Sequence, residues 1–305
     1  MRPLADWPRV DRLRLIGIFT DIDDTLTTDG AITPDALAAL ADLKAAGLRV
    51  IAITGRPAGW SEPFAFGDPA RGLAPWPVDA IVAENGSVAL VRAKSASTEN
   101  FSSKIGRMLY CSGPGQLSKL YQQDTSTRTA NAARLQAAAA QILRDVPGAK
   151  VAQDSAGRET DIAIDHSEFA HLPAAKIDQV VGIMRAAGMN ASVSSIHING
   201  WFGDHDKFSG ARWIVRELLG RDLGAEIDRW AFVGDSTNDQ MMFRAFRQSI
   251  GVANICRFAT ELREFPSYIT PAERGAGFAQ VADVIAVARD GIRRTISRSA
   301  PPTEQ

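Results

Sequence analysis

Short runs of consecutive apolar residues, each stopping abruptly at polar ones, alternate along the chain with stretches whose apolar positions recur at helical spacing. Runs of about four to eight β-branched and aromatic residues read as strands buried on both faces, and a period of about 3.6 reads as helices packed over them. Residues 15–20 (LIGIFT) predict a first strand that runs directly into Asp21. A helix follows: Thr33 suits its N-cap, Pro34 its first turn, Leu37, Leu40 and Leu43 share a face, and Gly47 ends it. Residues 48–53 (LRVIAI) predict a second strand that stops at Thr54-Gly55-Arg56. Residues 79–83 predict a third, stopping at Glu84-Asn85-Gly86.

The pattern then changes. A polar, Ser-rich stretch at 94–104 precedes a predicted helix over 128–145, strands at 150–153 and 160–165, a helix over 174–187, and strands at 191–194 and 196–201. Helix–strand–strand, twice over, predicts a small α+β unit with an antiparallel sheet. From Lys207 the first rhythm returns: a helix over 208–219 stopped by Gly220, a strand at 230–234 (WAFVG) ending at Asp235, a helix over 240–246, strands at 250–253 and 268–270, and a helix over 278–288. The expectation is a three-layer α/β core, a doubly wound parallel sheet built from 1–86 and 203–305, with an α+β cap inserted at 87–202.

Composition agrees with two globular units: 305 residues, 45% hydrophobic and 23% charged. Its 34 Lys and Arg nearly cancel 35 Asp and Glu, so the net charge of -1 gives no basis for a nucleic-acid or anionic-membrane partner. Cys111 and Cys256 lack metal-ligand or redox spacing and read as reduced thiols. The chain start carries no signal-like apolar run, and no stretch has membrane-spanning length, so a cytoplasmic location is expected. The closing segment, 292–305, reads as a frayed tail. Oligomeric state is left open.

In open α/β sheets, ligands bind outside the carboxyl ends of the strands. The polar groups predicted there are Asp21 and Asp23, Thr54, and the run from Asp235 to Asp239, with Lys207 as the nearby cation. Carboxylates crowded into one crevice repel and need a positive ion. Hard oxygen donors favour Mg²⁺, which bridges readily to phosphate. A carboxylate neutralised in this way can attack phosphorus while Lys207 and the Thr54 hydroxyl hold phosphate oxygens. Singly, each motif also fits a capping turn or a solvated side chain; their joint order at separate strand ends is what points to chemistry.

FTDIDDTLT, AITGR, Lys207 and GDSTND, in that order, resemble the four signature motifs of the haloacid dehalogenase superfamily. AENG at 83–86 and YIT…GAGF at 268–278 resemble its branch with a cap inserted after the third strand (HAD-IIB type), which includes Cof-like, sucrose-phosphate and mannosyl-3-phosphoglycerate phosphatases. The resemblance implies that Asp21 is the nucleophile and Asp23 the general acid/base. It makes Thr54 and Lys207 phosphate contacts, flanked by Gly55, Arg56 and Asn238. Mg²⁺ would be held by Asp21, the backbone carbonyl of Asp23, Asp235 and, in support, Asp239. The implied substrate is a small phosphorylated metabolite such as a sugar phosphate. A phosphomannomutase-like mutase, a signalling receiver and a non-catalytic binder are the alternatives. His205 is expected at the surface, and His166, His171 and His197 lack metal spacing. Arg56 is expected to reach either phosphate or cap, and Trp60, Phe64, Phe66 and Trp76 to pack. Arg128, Arg158 and Asn199 are unranked candidates for reading the substrate.

Overall fold

The computed structural model describes residues 1–92 and 117–299. The Ser-rich stretch at 94–104 and Cys111 lie outside them, as do residues 300–305. Nine strands form one sheet, in spatial order Arg2–Pro3, Tyr268–Ile269, Gln248–Gly251, Trp230–Gly234, Gly17–Thr20, Arg49–Ile53, Ala80–Ala83, Val88–Arg92 and Leu117–Tyr121. The first seven are mutually parallel, and the last two add on antiparallel.

Successive side chains along a strand point to opposite faces, so an unbroken apolar run feeds two cores at once. Ile18 joins Val50, Ala52, Ile81 and Val233 on one face, beneath the helices Pro34–Ala45 and Arg274–Ser299. Phe19 joins Ile51, Ile53, Val82 and Phe232 on the other, beneath Lys207–Leu219 and Gln240–Ala245. The expected three layers follow from this alternation.

Hydrogen bonding carries the main sheet beyond the boundary expected near 87. Val88–Arg92 pairs with Ala80–Ala83, and Leu117–Tyr121 pairs with Val88–Arg92. The separate unit begins with the helix Thr125–Asp145, whose N-cap Asp124 accepts from Thr127 N at 2.8 Å. That helix and Ala174–Ala186 cover a four-stranded antiparallel sheet ordered Asn190–Val193, His197–Trp201, Asp161–Asp165, Lys150–Val151. Leu135, Ile142, Ile164, Val180, Met184 and Ile198 form its own core.

Three further differences have local causes. The strand expected at 250–253 is Gln248–Gly251, because buried Gln248 finds a donor, Trp7 Nε1, at 2.7 Å. The helix Ala58–Phe66 holds Pro63 and was not legible as a helix; its aromatic side chains pack together, Trp60 tilted against Phe64 at 4.7 Å and Phe64 stacked on Trp76, beyond the helix, at 4.6 Å. The closing helix runs to Ser299, so the segment read as tail is helical up to that residue. Among the described residues no helix is long and apolar enough to cross a membrane.

Candidate active site

The strand ends converge as their pattern implied. Asp21 follows Gly17–Thr20, and its backbone N donates to Val233 O at 2.9 Å, which locks it beside the end of Trp230–Gly234 and therefore beside Asp235. Thr54 follows Arg49–Ile53 and is fixed by its N–H to Val82 O at 2.9 Å. Carboxylate oxygens of Asp21, Asp235 and Asp239 all lie within 4.8 Å of one another, and all three residues are buried. Lys207 Nζ donates to Asp21 Oδ1 at 2.6 Å and to Asp239 Oδ1 at 2.7 Å.

Backbone packing places these groups. Lys207 begins its helix, which is capped by Asp206 and Ser209. Gly86 and Gly210 bring the turn after the third strand against that helix: a Cβ on Gly210 would stand 2.5 Å from Gly86 Cα, and Gly86 itself has φ +107°. Only glycine tolerates both demands. Asp239 Oδ2 accepts from Asp235 N at 3.0 Å, and its carboxylate fills the space where a side chain on Gly234 would sit.

Three buried carboxylates share one ammonium, and the electrostatics show it. Burial pushes the Asp21 carboxyl up to about 8, opposed by Lys207 and reinforced by Asp239 and Asp23. Asp235 is driven well upward, first by burial and then by Asp21 and Asp239. Burial disfavours the Lys207 ammonium, but Asp21 and Asp239 outweigh that and hold it above its ordinary value. A cluster of hard oxygen donors with too little positive charge fits a divalent cation such as Mg²⁺.

Asp23 points elsewhere. Arg56 Nε donates to both its oxygens at 3.0 Å, and the same guanidinium reaches Asp154 Oδ2 at 3.1 Å and Glu168 Oε1 at 2.8 Å on the α+β unit. Arg56 therefore reaches the cap side of the crevice, stacked 5.0 Å over Trp60. Arg158 and Asn199 both donate to Gly55 O, at 2.9 and 3.2 Å, and both hold Asp161. Arg128 lies instead over the Tyr121 ring, 3.5 Å from its centroid. Residues 194–197 line the crevice opposite Asp21, Asp23, Thr54 and Asn238, leaving about 10 Å³ free. His197 Nε2, in that lining, lies 2.7 Å from Glu168 Oε2. His205 is buried rather than at the surface, stacked on Trp201 at 5.7 Å.

Two sets of contacts went unnoticed in the sequence. Asn254 Nδ2 donates to Asp235 Oδ2 at 3.1 Å and to Asp24 O at 3.0 Å, bracing the acidic cluster from the 3-10 helical segment Ala253–Phe258, which has no motif of its own. Fully buried Glu84 accepts from Ala58 N, Glu159 N and Thr160 N, tying the core to the start of the Asp161–Asp165 strand. The AENG motif marked its position but not this contact.

A doubly wound parallel sheet with acids at its carboxyl edge and an α+β unit closed over them defines a capped, three-layer α/β architecture. Residues 18–110 match the family model described as haloacid dehalogenase-like hydrolase. That match spans 93 of the chain's 305 residues. No curated protein matches the chain significantly. Among solved structures, the sucrose-phosphatase of Synechocystis, in complex with sucrose and phosphate, is 15% identical over 89% of this chain and 98% of its own, with a TM-score of 0.58. A trehalose-6-phosphate phosphatase related protein is 16% identical over 91% and 99%, at 0.54. A haloacid dehalogenase-like hydrolase from Bacteroides thetaiotaomicron is 15% identical over 92% and 99%, at 0.52. At these identities the likeness is one of fold.

Proposed function

We propose that this hydrolase cleaves a small phosphate monoester, with Mg²⁺, through a phospho-aspartate at Asp21, and that a phosphorylated sugar or related metabolite is its substrate class. The observation that carries the reading is the cluster of Asp21, Asp235 and Asp239 at adjoining strand ends, with Lys207 bonded to Asp21 and Asp239 and Asp23 two residues beyond Asp21. Asp21, Asp235 and Asp239, with the backbone carbonyl of Asp23, are the groups that would hold Mg²⁺. When bound, the ion supplies positive charge against phosphate oxygens and relieves the repulsion among the acids.

Lys207 and the Thr54 hydroxyl bind and orient the phosphate. An Asp21 oxygen attacks phosphorus, the P–O bond to the leaving group breaks, and Asp23 gives its proton to the departing oxygen. Asp23 then takes a proton from the water that attacks the phospho-aspartate, releasing inorganic phosphate and restoring the Asp21 carboxylate. Asp23 must leave Arg56 to do this. The α+β unit serves as a cap: about 10 Å³ holds roughly one water, so a sugar phosphate enters only when the cap lifts. The sucrose bound in the Synechocystis relative supports a sugar as leaving group.

A panel of sugar phosphates, nucleotides, phosphoglycerate esters and phosphopeptides, assayed with Mg²⁺ and with excess chelator, tests the reading. Mg²⁺-dependent phosphate release with highest kcat/KM on small sugar phosphates is expected. Full activity in chelator, or a decisive preference for phosphopeptides, would overturn it.

A further inference from the structure

At the opposite end of the sheet, where the same strands begin, lies a cavity of about 880 Å³. Ile16, Arg49 and Trp230 line it, at the starts of the strands whose far ends lead into Asp21, Thr54 and Asp235. Five arginines line it, Arg14, Arg49, Arg221, Arg229 and Arg289, and no acidic residue is in the lining. In a chain with more acidic than basic residues, that concentration of one sign is local, not a reflection of overall charge.

Ordinary structural work accounts for part of it. The helices Arg9–Arg14, Pro34–Ala45 and Lys207–Leu219 all end here, and cations suit helix C-termini. Arg289 Nη1 donates to Ala46 O at 2.6 Å, and its Nη2 to Leu15 O. Arg49 meets Asp79 at 3.2 Å, and Arg221 Nε meets Glu226 at 3.2 Å. The remainder has no such use. Arg229 makes only a 3.5 Å contact, through Nε to Arg14 O, so its two terminal nitrogens have no partner among the described residues, and neither has the Arg14 guanidinium. Trp230 is fully buried, and its indole N–H has no acceptor.

Guanidinium forks match phosphate oxygens, and several together select an anion with more than one charged group. Between the arginines the lining includes the apolar residues Leu13, Ile16 and Leu219, which suits an organic body. The volume falls within the ~300–1,000 Å³ of small-molecule sites. We propose that this cavity is a second binding site, separate from the crevice above Asp21, for a small polyphosphorylated organic anion of the nucleoside diphosphate class.

The test is calorimetric titration of the full chain with ADP in excess chelator, so that turnover plays no part. Saturable binding is expected, weakened at least about tenfold in Arg14→Glu/Arg229→Glu and weakened in both proteins by added salt. Hydrolysis of a small aryl phosphate by the double variant should be unchanged, since neither side chain approaches the crevice. If charge reversal prevents folding, Arg14→Gln/Arg229→Gln takes its place under the same criterion. No saturable binding to the wild-type chain would overturn the proposal. Equal affinity in the folded variant would overturn it too, by placing the ADP elsewhere, such as the catalytic crevice. Neither result depends on whether the chain hydrolyses phosphate esters.

Discussion

Three carboxylates and one ammonium in a buried cluster leave it short of positive charge, and this bears on stability as much as on catalysis. Replacing Asp235, which is crowded by Asp21 and Asp239 and not bonded to Lys207, removes repulsion at small geometric cost. Asp235→Asn should therefore melt at a higher temperature than the wild-type chain in chelator, while losing the rise in melting temperature that Mg²⁺ gives the wild type. The stabilisation behind that rise follows mass action and reaches about 2.7 kcal/mol at a hundredfold excess over Kd. Differential scanning calorimetry with and without Mg²⁺ decides it, and an Asp235→Asn protein still stabilised by Mg²⁺ would remove Asp235 from the metal site. His205 governs a separate pH effect. Burial, outweighing Asp206 and Asp204, holds its imidazole down to about 4, below the ordinary 6.5. Between those values the unfolded chain binds the extra proton, so stability falls as pH drops from about 6.5 to about 4. In His205→Gln the melting temperature should decline less over that window; an unchanged slope would assign the acid sensitivity to other groups.

At the scale of elements, the approach of Gly86 to Gly210 decides where Lys207 stands. Gly210→Ala puts a methyl group into the backbone of the 84–86 turn, with a cost of about 1–3 kcal/mol in stability. It should also lower kcat, because Lys207 moves with its helix; a variant with wild-type kcat would show that the helix accommodates the methyl group without moving Lys207. Such positions carry no signal in an apolar pattern, whereas the strand ends do. Asp21, Thr54 and Asp235 were legible because unbroken apolar runs stop at them, and a strand buried on both faces can release a polar residue only at its end. The run at 88–92 was equally apolar, but periodicity does not say which sheet a strand joins, and so the insert was expected to begin too early. The helix Ala58–Phe66 was hidden by Pro63 and by aromatic residues that pack on each other. His205 was misplaced because its neighbours Asp204 and Asp206 read as solvent-facing, while its ring lies against Trp201.

Across the whole molecule, the α+β unit is held against the core by contacts at the loops after the strands Gly17–Thr20, Arg49–Ile53 and Ala80–Ala83. Arg56 joins Asp23 to Asp154 and Glu168, Arg158 and Asn199 grip Gly55 O, and Glu84 reaches Glu159 and Thr160. From sequence, Arg56 was expected to reach either phosphate or cap and Arg158 and Asn199 were unranked; their particular partners were not legible, because the contacts lie across an interface between units that have separate cores. Arg158→Ala removes one grip and leaves Asp161 short of its cation. Amide hydrogen exchange at 194–199 should rise, and hydrolysis of a sugar phosphate should suffer more than that of a small aryl phosphate; equal losses on both substrates would argue against a cap role for this contact. Covalent phosphoryl transfer at Asp21 in this closed crevice leaves a chemical trace, the phospho-aspartate. Acid-quenching the chain during turnover of a radiolabelled sugar phosphate with Mg²⁺, followed by peptide mapping, tests it most directly. The label should sit on Asp21 and be absent from Asp21→Asn, whose turnover should fall by at least about a thousandfold. Label on any other residue, or undiminished turnover by Asp21→Asn, would contradict the account.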